Sequence, residues 1–498
     1  MGWASRVALT LFVAMLGAMT LLALPDPAPS CLEGRVFDDG GGVPGTHVRL
    51  QGTSICSRSD GRGRFRLSPR VAGRRATAWK EGYFIGGSDS PSFPSIRLKP
   101  LPSTDNSEYE WVDPSPNAAE SQNCANCHAE IYREWSSSGH ARSVEGRHFR
   151  NLYEGTDWHG KPDAGWGLLT EYPDGAGVCA SCHAPATEAF DLRQLRGAAM
   201  SGVHCDYCHK VEGVADGQLG LSHGRFNLRL LRPKEGQLFF GSLDDVARGE
   251  DSYSPLYRDS RYCASCHEGI VFGVHVYSTF SEWQASPSAR QGVQCQDCHM
   301  KPSGRMTNLA PGHGGLDRDP RTLHNHRFFD GSQEAMLRRA VKATVELERG
   351  ETGVRACVRL WSEGVGHSLP TGFIDRHLVL SVEGFTSDGR ALQPFEGPIL
   401  PSLAGEKLAG RPGRLLARVL KDMEGRTPAP FWLAAPEPPL DTRLVPGRVE
   451  ESHFAYPRPM TRLRLRVWYR RFWPEVARRK RWPNDETLVF EQVFSPPL

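Results

Sequence analysis

The pattern Cys-x-x-Cys-His occurs five times, at Cys124-Cys127-His128, Cys179-Cys182-His183, Cys205-Cys208-His209, Cys263-Cys266-His267 and Cys295-Cys298-His299. These sites use ten of the 13 cysteines and leave Cys31, Cys56 and Cys357. Three chemistries could use such pairs. A tetrahedral zinc centre takes four ligands, usually from two Cys-x-x-Cys units, and does not require histidine at the next position. Five units do not pair off. A redox-active disulfide also tolerates other residues there. Covalent haem attachment needs the whole pattern. Two sulfurs three residues apart lie on one side of a helical turn, each forms a thioether with a vinyl group, and the following imidazole becomes the proximal iron ligand. Five occurrences out of five point to five haems of the c type.

The sixth iron positions decide what such haems do. Of 18 histidines, 13 remain after the proximal five. A second histidine gives six-coordinate, low-spin iron suited to moving electrons. A missing one leaves a position where a substrate could bind. The distal candidates are His140 in "EWSSSGHA", His204 directly before Cys205, His275 in "FGVHVYSTF", His326 in "LHNHRFF" with His324 as its rival, and His367 in "GVGHSLPTGF". His223, His313 and His377 stand in reserve; His47, His148, His159 and His453 read as ordinary positions.

The elements that must position these residues follow in order. Residues 7–24, "VALTLFVAMLGAMTLLAL", are almost wholly apolar and follow Arg6, so residues 1–30 are expected to be a signal peptide or an uncleaved membrane anchor. Either implies export to the periplasm or cell surface. Residues 31–99 alternate apolar and polar between glycine-rich turns, as a small β domain does. Cys31 and Cys56 would then lie on neighbouring strands, as a disulfide candidate. Residues 100–120 read as a linker. Residues 121–330 hold all five motifs and are expected to be a mostly helical and irregular domain packed around haem. Residues 331–498 read as a β-rich domain after one helix in "SQEAMLRRAVK", with Cys357 a buried small hydrophobe. The fold class expected is therefore multidomain: β-sandwich, haem-packed centre, β-rich end.

Two internal echoes stand out. "CASCH" at 179 leads to "SGVHCDYCHK", and "CASCH" at 263 leads to "QGVQCQDCHM". "YREWSSSGHAR" at 132 matches "FSEWQASPSAR" at 280, with His140 facing Ser288. If His140 ligates iron, the second copy must recruit its histidine elsewhere. The formal charge of +3 carries no nucleic-acid meaning, because each haem adds propionate carboxylates.

The stretches "CANCHAEIYREWSSSGHA", "GVHCDYCHK", "EWQASPSARQGVQCQDCHM", "GHSLPTGFIDRHLVL" and "LDTRLVPG" resemble multihaem c-type cytochromes related to the tetrahaem cytochrome of the hydroxylamine-oxidation pathway. The resemblance covers roughly residues 121 to 460. It implies stacked haems, mostly with two histidines each, passing electrons to other redox proteins in the periplasm or at the cell surface. Some relatives also self-assemble into extracellular filaments. This chain has five sites where that group has four. Residues 31–99, with "SDGRGRFRL" and "KEGYF", resemble the carboxypeptidase regulatory-like β-sandwich, a spacer or adhesive module.

Two functions are consistent with this pattern. One is an electron carrier without chemistry of its own. The other is a multihaem reductase of a small nitrogen or sulfur oxyanion, with one open haem position. Pentahaem nitrite reductases mark the catalytic haem with lysine in place of the motif histidine, and no Cys-x-x-Cys-Lys occurs here. The carrier is therefore expected, rather than an enzyme. Residues 121–330 offer roughly forty residues per haem, too few for an ordinary core. Expressed without haem-attachment machinery, this segment is expected to show no compact fold by circular dichroism; a compact haem-free form would contradict the reading.

Overall fold

The computed structural model describes residues 31–90, 92–175, 178–187, 192–215, 219–329, 333–483 and 486–496. The expected signal or anchor lies outside them. Among the described residues no helix is long and apolar enough to cross a membrane. The chain forms two compact units. The first holds the described residues up to Ser103 together with Leu243–Tyr253; the second holds Thr104–Ser242 and Ser254 onward.

The first unit has two four-stranded sheets around one core. In one, Leu32–Asp38 pairs antiparallel with Gly41–Gly42 and Arg64–Leu67 and parallel with Ser95–Arg97. The other runs Cys56–Arg58, His47–Leu50, Ala76–Trp79, Gly86–Ser88. Alternation drives this: Leu32 and Val36 point inward beside Val48, Leu50, Phe65 and Ile96, while Glu33 and Arg35 point out. Gly63 in "SDGRGRF" has φ +77°, and a Cβ there would meet the Val36 carbonyl at 2.2 Å. Asp244, which the sequence places far downstream, joins this unit by accepting from Arg49 Nε and Nη2 at 2.7 and 2.9 Å. The disulfide expectation is not met. Cys31 leads into one sheet and Cys56 opens a strand of the other, paired with Arg49, and both are free thiols.

The second unit joins what the sequence presents as two domains. Among the described residues its haem-motif part has only short helices, none longer than the eight residues of Ala129–Ser136 and Arg147–Glu154. Its C-terminal part is β-rich. Three long antiparallel strands, Val341–Arg349, Gly353–Ser362 and Val449–Pro457, form one sheet. The other is built on His377–Phe385, Arg462–Arg470 and Glu486–Phe494. The expected helix is Gln333–Ala340, and Val341 and Lys342 already belong to the following strand. Cys357 is half-exposed opposite His453 rather than buried.

One apolar cluster crosses the expected boundary at 330. Leu152, Tyr153, Leu168 and Ala180 pack with Val419, Trp432, Trp473 and Trp482. Residues 104–120 are no free linker either. Arg232 Nε holds Asp105 at 3.0 Å, and Tyr109 and Val112 both donate to Asp206.

Lys480 seals the joint between the two parts. Fully buried, its Nζ donates to the carbonyls of Asn151 at 2.9 Å and Thr156 at 3.1 Å, and burial lowers its pKa to about 8. Lys480→Met would leave both carbonyls without that donor, so it is expected to destabilise the second unit by about 2 to 4 kcal/mol. Guanidinium unfolding followed by circular dichroism measures this. Because the ammonium's pKa is lower folded than unfolded, the wild-type unit should gain stability as pH rises from about 8 to about 10.5, and Lys480→Met should lose that gain.

Candidate haem-attachment sites

Each motif sits on a short helix: Cys124–Cys127, Val178–His183, Cys205–Cys208, Arg261–His267 and Cys295–His299. The step from cysteine to cysteine is nearly one turn, so both sulfurs share a face. No disulfide joins any of the ten. Burial pushes the Cys179 thiol up to about 12 and that of Cys208 up to about 11. Among the described residues, no motif cysteine takes part in a cluster of three or more potential metal-binding groups.

Four of the five proximal imidazoles share one device. His128 Nδ1 lies 2.9 Å from the Leu309 carbonyl, His183 Nδ1 2.6 Å from that of Ser143, His209 Nδ1 2.6 Å from that of Phe240, and His299 Nδ1 3.0 Å from that of Phe328. A carbonyl only accepts, so Nδ1 carries the proton and Nε2 keeps its lone pair for a metal.

Two histidine couples test whether haem fits. His140 and His267 have ring centroids 6.2 Å apart, and His299 and His367 6.3 Å apart. Two imidazoles on opposite sides of one iron would have centroids about 6.3 Å apart, from about 2 Å per metal–nitrogen bond and about 1.1 Å from nitrogen to ring centre. Desolvation lowers His140 to about 4, so it is neutral, the form that ligates iron. His140, His299 and His367 are partly exposed and His267 is exposed. The spacing of both couples fits haem.

The other candidates separate by the same criteria. His326 lies near His209, His324 and His128; its Nδ1 is buried without a hydrogen bond. His324, named only as its rival, turns Nδ1 to the Met300 carbonyl at 2.9 Å and so presents Nε2. His367 Nδ1 lies 3.0 Å from the Ser368 carbonyl. Two candidates are corrected. His204 is fully buried and caps the Cys205–Cys208 helix, its Nδ1 accepting from Tyr207 N–H at 3.4 Å. The ring proton is then on Nε2, which cannot bind iron. His275 is tied through Nε2 to Glu268 at 2.5 Å. Of the reserve, His377 is fully buried against Trp473 with no accessible surface, and His313 is exposed.

His183 stands apart. Only burial and the Ser143 carbonyl shift its pKa, and its ring neighbour is Phe149, at 3.8 Å. Tyr277 stands beside Cys179 and Cys182, with Asp375 and Arg376 close by. Burial raises Asp375 to about 7.

Thiols of different motifs lie close enough to shift each other's pKa: Cys124 with Cys205, Cys263 with Cys295, and Cys182 with Cys266. These neighbours place the site at 205 beside that at 124, as the site at 295 beside that at 263, whereas the sequence echo runs from 179 to 205.

Residues 123–210 match the family model described as cytochrome c554 and c-prime. A pentahaem cytochrome c552 from Thermochromatium tepidum matches with a TM-score of 0.53 and 24% identity, over 75% of this chain and 97% of that one. That likeness is one of fold. No curated protein matches. The family match spans the first three motifs, and the fold is like that of a pentahaem cytochrome c552.

The site geometry makes a discriminating prediction. In the haem-loaded protein, His140→Ala should turn one low-spin haem high-spin in electron paramagnetic resonance. His204→Phe and His275→Ala should leave all low-spin signals in place.

Proposed function

We propose that this chain is an exported electron carrier holding five haems c, four of them between two histidines. The observation that supports it most is the spacing of the couples His140–His267 and His299–His367. When bound, the haems supply reversible one-electron oxidation of iron. The chain's residues fix where that happens. Backbone carbonyls orient the proximal rings, His140 and His367 complete two sites, and His324 and His326 serve the sites at His128 and His209.

The sulfur contacts give the order. The sites at 124 and 205 form one pair and those at 263 and 295 another, with the site at 179 joined to the second through Cys182 and Cys266. Tyr207, flanked by Cys208, Cys182 and Cys266, bridges the pairs. The site at 263 is the junction. Export is supported by the apolar residues 7–24 and by thioether attachment itself, which takes place outside the cytoplasmic membrane. Donors and acceptors are other redox proteins, as for the hydroxylamine-oxidation cytochrome it resembles, or further copies of the chain. The first unit acts as a spacer of the carboxypeptidase regulatory-like kind.

A second reading attaches to one site. The ring neighbour of His183 is Phe149, and Tyr277 stands beside Cys179 and Cys182 with Asp375 close by. This haem has an open sixth position where a small oxyanion could bind and be reduced. Intact mass should show five covalent haems; fewer would overturn the carrier. Carbon monoxide added to the reduced protein should shift about one fifth of the Soret intensity. No shift would remove the reductase reading and leave the carrier, with all five haems saturated.

A further inference from the structure

The echo "REW" at 133–135 and "SEW" at 281–283 has a counterpart in three dimensions. Trp135 Nε1 donates to the Val203 carbonyl at 2.9 Å, and Trp283 Nε1 donates to the Val293 carbonyl at 2.8 Å. Both valines stand two residues before a motif cysteine, Cys205 and Cys295. Each tryptophan therefore pins the segment that delivers a proximal ligand, His209 or His299.

The preceding glutamates do the matching work on the other face. Glu134, 3% exposed, accepts from the backbone N–H of His326 at 2.9 Å and from Arg327 Nε at 3.1 Å. Glu282 accepts from the backbone N–H of Ser368, next to His367, at 3.2 Å, from Thr371 Oγ1 at 2.7 Å and from Arg443 Nη2 at 2.8 Å. In both copies one carboxylate oxygen takes a backbone N–H at the distal histidine and the other takes a guanidinium. The loops held this way are unrelated in sequence: "LHNHRFF" in one copy, "GVGHSLPTGF" in the other. Gly366 lets the second loop lie close, since a Cβ there would meet Trp283 Cδ1 and Ser288 Cβ at 3.3 Å. Ser288 is the residue that replaces His140 in the echo.

We propose that Glu134 and Glu282 are equivalent positioning residues of a duplicated two-haem module, in which each Glu-Trp dipeptide registers the proximal segment and the distal histidine of one haem against each other. The haems are those of His209 with His326 and of His299 with His367. The second couple has the ligand spacing of 6.3 Å directly. The first follows from the Trp135–Val203 bond, which holds the segment delivering His209, and from the Glu134 bond to the backbone N–H of His326. The site at 179, inserted between Trp135 and Val203, is the haem added to the two modules. This proposal rests on His326 and His367 being axial ligands.

The test uses the full, haem-loaded protein and electron paramagnetic resonance of the oxidised form. His367→Ala and His326→Ala first establish which low-spin signal belongs to each ligand. Glu282→Ala should then perturb the signal that His367→Ala removes, about one quarter of the low-spin intensity of four six-coordinate haems, and Glu134→Ala the one that His326→Ala removes. The Gln variants, which keep an oxygen for the backbone N–H, should restore most of each signal. They are also read wherever an Ala variant fails to load five haems. Glu variants with all signals unchanged, or with every haem disturbed alike, would overturn the proposal. If the two His→Ala variants alter no signal, the ligand assignment itself fails, whatever the glutamates do.

Discussion

An imidazole binds iron only through a nitrogen that carries no proton, so the other nitrogen must hold the proton and be held in turn. Here the backbone does this. Carbonyls of Leu309, Ser143, Phe240 and Phe328 each take an Nδ1–H from a proximal histidine, and those of Met300 and Ser368 take one from His324 and His367. Much of the unit's irregular chain serves to bring those carbonyls to those rings. This explains why helices stay short where the motifs lie. A long helix would consume its own carbonyls in i to i+4 bonds and leave none to orient a ligand.

The same demand explains why the β-rich end cannot be separated from the haem segment. His367 lies on a loop between strands of the C-terminal part, yet its ring faces His299. Glu282 holds that loop from the haem side while Arg443 braces the glutamate from the β side. Around the site at 179, Ala180 packs into one cluster with Trp473 and Trp482. The sheets thus cover the motif segment and carry His367 to it, and the buried Lys480 ties them down.

Much of this was legible in residue order. The five motifs, the small β domain in front and the β-rich end follow from local patterns, and the structure has those β elements where expected. The distal ligands were only half legible. His140 and His367 hold the expected places beside proximal rings, whereas His204 and His275 are consumed by a helix cap and an ion pair. Sequence proximity to a motif misled for His204, because a residue just before a helix is first of all a cap. The repeat was visible, but its pairing was not. The two "CASCH" sites look alike, yet the neighbouring thiols set 124 beside 205 as 263 stands beside 295. Glu134 and Glu282 carried a signal in the shared "EW", which gained meaning only once their far partners were known.

The sequence alone determined the chemistry of attachment, since thioether formation needs only two sulfurs and an imidazole within one helical turn. It also determined where strands begin and end, because alternation is local. Tertiary structure alone decided which imidazole stands near which and which thiols are neighbours. Those outcomes depend on residues far apart in the chain, Glu134 and His326 being 192 positions apart, and no local pattern records a contact across that distance.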